Sequence, residues 1–357
     1  MKDGHDMNYA QPDPQGALAP PAGAESLAAR LAARVPGAAT AAERRAAIEL
    51  LPRMGGIALK NGLVLVSNDY WAAAIRETDG NISVTSGRKT RLPSGRSRRG
   101  AGIRAGAAAG RQPAARPGAE PQAGDLQGLP MLRGLARFGE ILLVLAQVKL
   151  RMPQAELPLE GGRVALALAT AYAATSTIRR LGPKSTVVQE TGAAFAAFVP
   201  AVLSLRNSTI SGYHGAEHKV IAGREAELRA AAAGVPRAAR AGQPSAAAGA
   251  PKEHDRCGSN LVGPLLLTTI VANALIRGRS GRMTPAGSAV AGAVSLGAAL
   301  EALRWATRHG DSLAARLLMS PGRIIQKTLT TSEPTVQQLE VAERAMKELL
   351  RLEAAGA

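Results

Sequence analysis

Four charge-free apolar segments in the second half of the chain limit its fold more than any other feature. Residues 164–178 and 191–205 each run 15 residues, 257–276 runs 20, and 283–300 runs 18. At about 1.5 Å rise per residue, 15 residues span roughly 22 Å, short of a hydrocarbon core of about 30 Å. The first two therefore read as re-entrant or buried helices. The last two are long enough to cross, diluted by Pro264, Asn273 and many small residues. The expected fold class is mainly α, a membrane-embedded helical bundle, with a soluble Ala-rich bundle as the alternative.

Loop charges leave the topology open. Arg179, Arg180 and Lys184 follow the first segment, and Arg277, Arg279 and Arg282 join the last two. A bias of Lys and Arg toward the cytoplasm would place both loops there, together with a basic stretch at 88–116. Simple alternate crossing cannot satisfy all three demands.

The chain ahead of these segments has a different texture. GIALKNGLVLVSNDYWAAAIRETDGNISV alternates short apolar runs with Asn61-Gly62, Asn68-Asp69 and Asp79-Gly80, dipeptides that favour tight turns. This predicts a small N-terminal antiparallel β-meander ending near Val84. The expected organisation is an Ala/Pro-rich, largely disordered region over 1–52, with a helix over AAERRAAIELL, then the meander over 53–86. A basic disordered linker over 87–125 leads into a helical membrane domain over 126–334. An amphipathic helix over 335–357 closes the chain. There, Thr335 and Gln338 make a capping-box pair, and Val336, Leu339, Ala342, Met346 and Leu349 recur at helical spacing.

Composition excludes several classes. Aromatics are 3%, too few for a β sandwich. The single cysteine, Cys257, excludes an intrachain disulfide framework and an all-cysteine zinc cage. The opening residues, MKDGHDMNYAQPDPQ, lack an apolar core, so no secretory signal peptide is expected there. The net charge of +17 rests on 44 Lys and Arg against 27 Asp and Glu. Nine of those cations fall within 88–116 with no acid among them, which fits a tail beside an anionic membrane as well as it fits RNA.

The residues able to do chemistry cluster in SGYHGAEHKVIAGRE and EHDRCGSN. His214 and His218 are four apart, so on a helix both imidazoles face the same way and suit one divalent cation. Glu217 lies beside them, placed to orient or deprotonate a water held by that ion, and H-x-x-E-H is the reversed zincin order. His254 and Cys257 follow at H-x-x-C spacing, the thiolate being a good zinc ligand. Glu225 is another oxygen donor, but on one straight helix it sits about 10.5 Å beyond His218 and joins only if Gly223 breaks the helix. The expected metal set is His214, His218, Cys257 and His254, with Glu217 as general base. QKTLTTSEP, with Thr328, Thr330, Thr331 and Glu333, reads as the turn before the last helix.

GYHGAEHK, RCGSN and SPGRIIQKTLTTSEPTVQQLEVAERAM resemble the YqhQ-like family of bacterial multi-pass membrane proteins, a domain-of-unknown-function family described as predicted metal-dependent enzymes. MGGIALKNGLVLVSNDYWAAAIR is similar to the family's glycine-rich opening and LRGLARFGEIL to its next block. The resemblance runs over roughly 54–350, interrupted by the basic linker and an Ala-rich stretch near 229–250. It implies functional roles for Tyr213, His214, Glu217, His218, Lys219, Glu225, His254, Arg256, Cys257 and Gly258. Asp255 stands where the family usually has proline, Ser259 where it has threonine, and Lys60 and Asn61 replace more typical residues.

The first expectation is therefore a metalloenzyme of the inner (plasma) membrane, multi-pass, with a cytoplasmic linker. It would be a hydrolase using a metal-activated water, with zinc as the expected divalent metal. A non-catalytic scaffold or assembly factor with a structural metal is the alternative, and RNA contact through 88–116 ranks third. Membrane lipid and a substrate of unknown class are the implied partners. No specific nucleic acid is expected, and homo-oligomer formation is left open.

Overall fold

The computed structural model describes residues 54–92 and 130–356, less 159, 161, 207, 233–246, 255–256 and 281–283. The expected N-terminal region and most of the basic linker lie outside the described residues.

Four strands pair in chain order as an antiparallel sheet: β1 (Gly55–Ala58), β2 (Gly62–Val66), β3 (Tyr70–Arg76) and β4 (Ile82–Arg88). Asn61-Gly62 closes the first hairpin, with the Leu59 N–H donating to the Gly62 carbonyl at 2.8 Å. Gly80, at φ +88°, closes the third. The meander does not stop near Val84. β4 continues to Arg88 because its polar end is held from outside, the Ser86 hydroxyl donating to Glu348 at 2.6 Å.

Helices cover both faces of the sheet. Leu63, Leu65, Ala72 and Ala74 pack on Ala216, Val220, Val341, Ala345 and Leu349. Val64, Val66, Trp71, Ala73 and Ile75 pack on Val144 and Val148 from the opposite side. Burying both faces makes every residue of β2 apolar, which is why GLVLV reads as an unbroken run rather than an alternation. The face around Trp71 is covered by α1 (Leu132–Arg151) and the other by α4 (Thr209–Ala232) and α8 (Val336–Gly356). Thr335 and Gln338 exchange the two reciprocal hydrogen bonds of a capping box, at 3.0 and 3.2 Å. Val336 departs from the expected stripe: it is 87% exposed, and the buried face begins with Val341 and Ala342.

The remaining helices form the apolar bundle: α2 (Gly162–Leu181), α3 (Thr186–Leu205), α5 (Val262–Ser280), α6 (Pro285–Arg308) and α7 (Leu313–Ile325). A 3-10 turn, Gly258–Leu261, leads into α5, and a π turn, Gln326–Thr330, follows α7. Among the described residues three helices are long and apolar enough to cross a membrane: Thr186–Leu205, Gly258–Arg277 and Ala286–Arg308. Only 22–33% of these windows is buried by protein, so most of their apolar surface stays exposed. The expectation that the second apolar segment is too short is corrected, because α3 starts at Thr186, ahead of the charge-free run.

That extension carries Gln189 and Glu190 into the bundle. Glu190 is fully buried and accepts from Arg179 at 2.8 Å, Arg277 at 3.0 Å and Asn273 at 3.1 Å. Arg179 ends α2, Glu190 opens α3 and Arg277 ends α5, so those three helix ends meet. The hairpins α2–α3 and α5–α6 therefore turn at one end of the bundle. The opposite ends of α3 and α5 lead to α4 and Cys257, on the side of the sheet.

Candidate metal centre

α4 runs unbroken for 24 residues, so His214, Glu217 and His218 share one of its faces. The neighbouring face is shaved by Gly215, where a Cβ would come within 2.1 Å of the Ser332 carbonyl oxygen. The chain after the π turn crosses α4 there, tied by the Ser332 N–H to the Ser211 carbonyl at 2.9 Å and by the two hydroxyls at 2.7 Å. This crossing brings the Thr330 carbonyl to His214, whose Nδ1 donates to it at 2.8 Å. The His218 Nδ1 donates to the Lys252 carbonyl at 2.5 Å.

A carbonyl can only accept, so each Nδ1 carries a proton and each Nε2 is left to face the cluster. The His214 Nε2 lies 3.0 Å from the Cys257 Sγ. The His218 ring is 4.4 Å from the His214 ring, centroid to centroid, and only 1% exposed. Its Nε2 is buried without a hydrogen-bond partner. Ligand atoms of His214, His218 and Cys257 all lie within 4.8 Å of one another, the one such group of three among the described residues. A buried, unpartnered nitrogen facing a thiol and a second imidazole is a donor set that a cation satisfies. Carbonyls that accept from the far ring nitrogen, as those of Thr330 and Lys252 do, are the usual outer layer of such a centre.

The electrostatics favour a thiolate at Cys257. Burial opposes charge on both partners, but the hydrogen bond and the Cys257 charge lift the His214 pKa to about 9. Burial likewise pushes the Cys257 thiol up, and the two imidazoles outweigh it, holding the thiol well below its usual value. The Ser259 hydroxyl adds a donor to the sulfur at 3.2 Å. The thiolate is the form that binds metal. Burial raises the Glu217 pKa, with the charges of His214 and His218 opposing it. Glu217 sits beneath β1, so close that a Cβ on Gly56 would fall 2.7 Å from its carboxyl carbon.

The other sequence candidates go elsewhere. The His254 ring is 5.9 Å from that of His218, and its Nε2 lies 3.7 Å from the Glu225 carboxylate. Glu225 also accepts from Arg229 at 3.0 Å, and because α4 does not break at Gly223 it stays two turns from His218. Tyr213, expected near the site, is buried in the core against the sheet. Lys219 pairs with Glu333 and donates to the Ala248 carbonyl at 3.0 Å. Arg256 lies outside the described residues. Within QKTLTTSEP, Thr330 reaches the site through its main-chain carbonyl, while Glu333 pairs with Lys219.

Gln326 was not singled out from sequence. Its amide accepts from the His254 N–H at 3.2 Å and donates to the His254 carbonyl and the Ser259 hydroxyl, each at 3.3 Å. It thereby clamps the loop that presents Cys257. A buried glutamine inside a polar motif was the available signal.

Residues 193–352 match the family described as "Protein of unknown function (DUF1385)". The chain is also similar to "Uncharacterized protein YqhQ" of Bacillus subtilis (strain 168), 32% identical over 142 residues, covering 40% of this chain and 41% of that protein. The matched region thus spans about two-fifths of that relative's length. No solved structure matches.

Proposed function

We propose from the site's geometry that this protein, similar over residues 193–352 to a family of unknown function, is a membrane-associated, metal-dependent hydrolase. One observation carries the reading: the unpartnered His218 Nε2, buried among the His214 imidazole and the Cys257 sulfur. His214, His218 and Cys257 would hold a divalent ion, zinc by its preference for imidazole and thiolate. Such an ion supplies Lewis acidity, lowering the pKa of water and polarising a carbonyl or phosphoryl oxygen. Three protein ligands are the pattern that leaves a coordination position open for chemistry.

The chain's own groups do the rest. The Thr330 and Lys252 carbonyls fix both rings, and the Ser259 hydroxyl steadies the sulfur. Glu217, beside the two imidazoles and with its pKa raised by burial, is the proton acceptor and donor. The platform of sheet, α1, α4 and α8 and the basic linker belong on the cytoplasmic side of the inner membrane by their weight of positive charge. The arginines at the hairpin turns are partly offset by Glu190.

Elemental analysis of detergent-purified protein tests this. About one transition metal per chain is expected, falling below a tenth of that in His214→Ala, His218→Ala and Cys257→Ala. Glu217→Gln is expected to keep the metal. Loss of metal in Glu217→Gln would make that residue a ligand and remove the proton-transfer assignment. The second reading, a structural metal in a scaffold, is favoured by His254 standing one ring away from His218. It predicts that His254→Ala also releases the ion.

A further inference from the structure

A cavity of about 1050 Å³ opens beside the metal centre, with His254 in its wall. α1, the last turns of α6, α7, the π turn and α4 enclose it. Seven cations line it against three carboxylates, Glu225, Glu253 and Glu301. Two of those acids are already committed. Glu301 accepts from Arg133 at 2.6 Å, and Glu225 from Arg229 at 3.0 Å. Among the described residues Arg137, Arg304 and Arg308 have no carboxylate at ion-pair distance, so a concave surface is left with excess guanidinium charge. Guanidiniums present paired donors in the geometry that phosphate oxygens accept.

The same cavity has an apolar side, from Phe138, Ile141, Leu300, Leu303 and Met319. It lies where the candidate span Ala286–Arg308 ends, the level at which lipid tails give way to headgroups. A pocket that offers guanidinium donors and apolar side chains together at that level matches a molecule that carries both kinds of group. A nucleic acid or a soluble anion would use only half of it.

We propose that this cavity binds a phosphate group carried on an apolar tail, with Arg137, Arg304 and Arg308 holding the phosphate and the leucine wall taking the tail. His254 joins this cavity to the metal centre, so the amphiphile is the substrate class of the hydrolase proposed above. That consequence rests on the hydrolase reading, while the binding itself does not.

Calorimetry on the detergent-purified full chain tests it, with dioctanoyl phosphatidic acid, dioctanoylglycerol and inorganic phosphate as separate probes. Phosphatidic acid should bind, diacylglycerol should bind at least tenfold more weakly, and so should inorganic phosphate. Arg304→Gln/Arg308→Gln should weaken phosphatidic acid at least tenfold with metal content unchanged, and Arg304→Lys/Arg308→Lys should restore part of it. His218→Ala should lose metal and still bind phosphatidic acid, which separates failure of the metal reading from failure of this one. Inorganic phosphate binding as tightly as phosphatidic acid would overturn the proposal. So would undiminished binding to a folded, metal-loaded glutamine double variant.

Discussion

At the scale of single residues the centre depends on atoms that are small or missing. Gly56 gives Glu217 room that a methyl group would fill, since its Cβ would stand 2.7 Å from the carboxyl carbon. Gly56→Ala should lower stability by about 1–3 kcal/mol, read as a fall in Tm, because the carboxylate must move or β1 must lift. Combining it with Glu217→Ala should recover most of that loss, and a double-mutant cycle reads the coupling. An additive result would place Glu217 away from β1. The histidine pair was legible because i, i+4 spacing needs only a helix to bring two rings together. The groups that aim the rings were not, because Thr330 and Lys252 contribute main-chain carbonyls, and a carbonyl leaves no mark on a sequence. Tyr213 misled for a related reason: one residue along a helix turns the side chain away by about 100°, from the cluster into the core.

Among the elements, α8 shows how a helix can be recognised without its partner. Its capping pair and apolar spacing identify a helix with one wet face, but not that the dry face lies on β2 and β3. Leu349 is fully buried there, in the cluster with Leu63 and Leu65. Leu349→Ala should cost about 2–5 kcal/mol, whereas Thr335→Ala, which removes one side of the cap, should cost about 1 kcal/mol. Denaturant midpoints for the two variants check the ranking, and a larger loss for the cap would contradict the packing. The sheet was readable from its turn dipeptides. Its double-sided burial was hidden because alanines at 72, 73 and 74 fit either face. α3 was underestimated for the opposite reason: counting stops at a charge, and Glu190 is a charge that the bundle keeps by surrounding it with two guanidiniums and an amide.

For the whole molecule, two helical hairpins stand on one platform, with their turns together at the far end. Cys257 is the only cysteine and is buried, so single introduced cysteines report cleanly on position. A cysteine at Lys184 and one at Lys347 should react with a membrane-impermeant maleimide from opposite sides in intact spheroplasts and inverted vesicles. Labelling of both from the same side would show that the hairpins dip in and return without crossing. No local pattern contains this arrangement, because it follows from Glu190 drawing together residues almost ninety positions apart. The join between β3 and α8 reaches further still, from one end of the described chain to the other. The two hairpins by themselves therefore contain neither the carbonyl that aims His214 nor the helix that covers the sheet. Both come from residues 330–356, so the stretch that orients the His214 ring also supplies the second cover of the sheet.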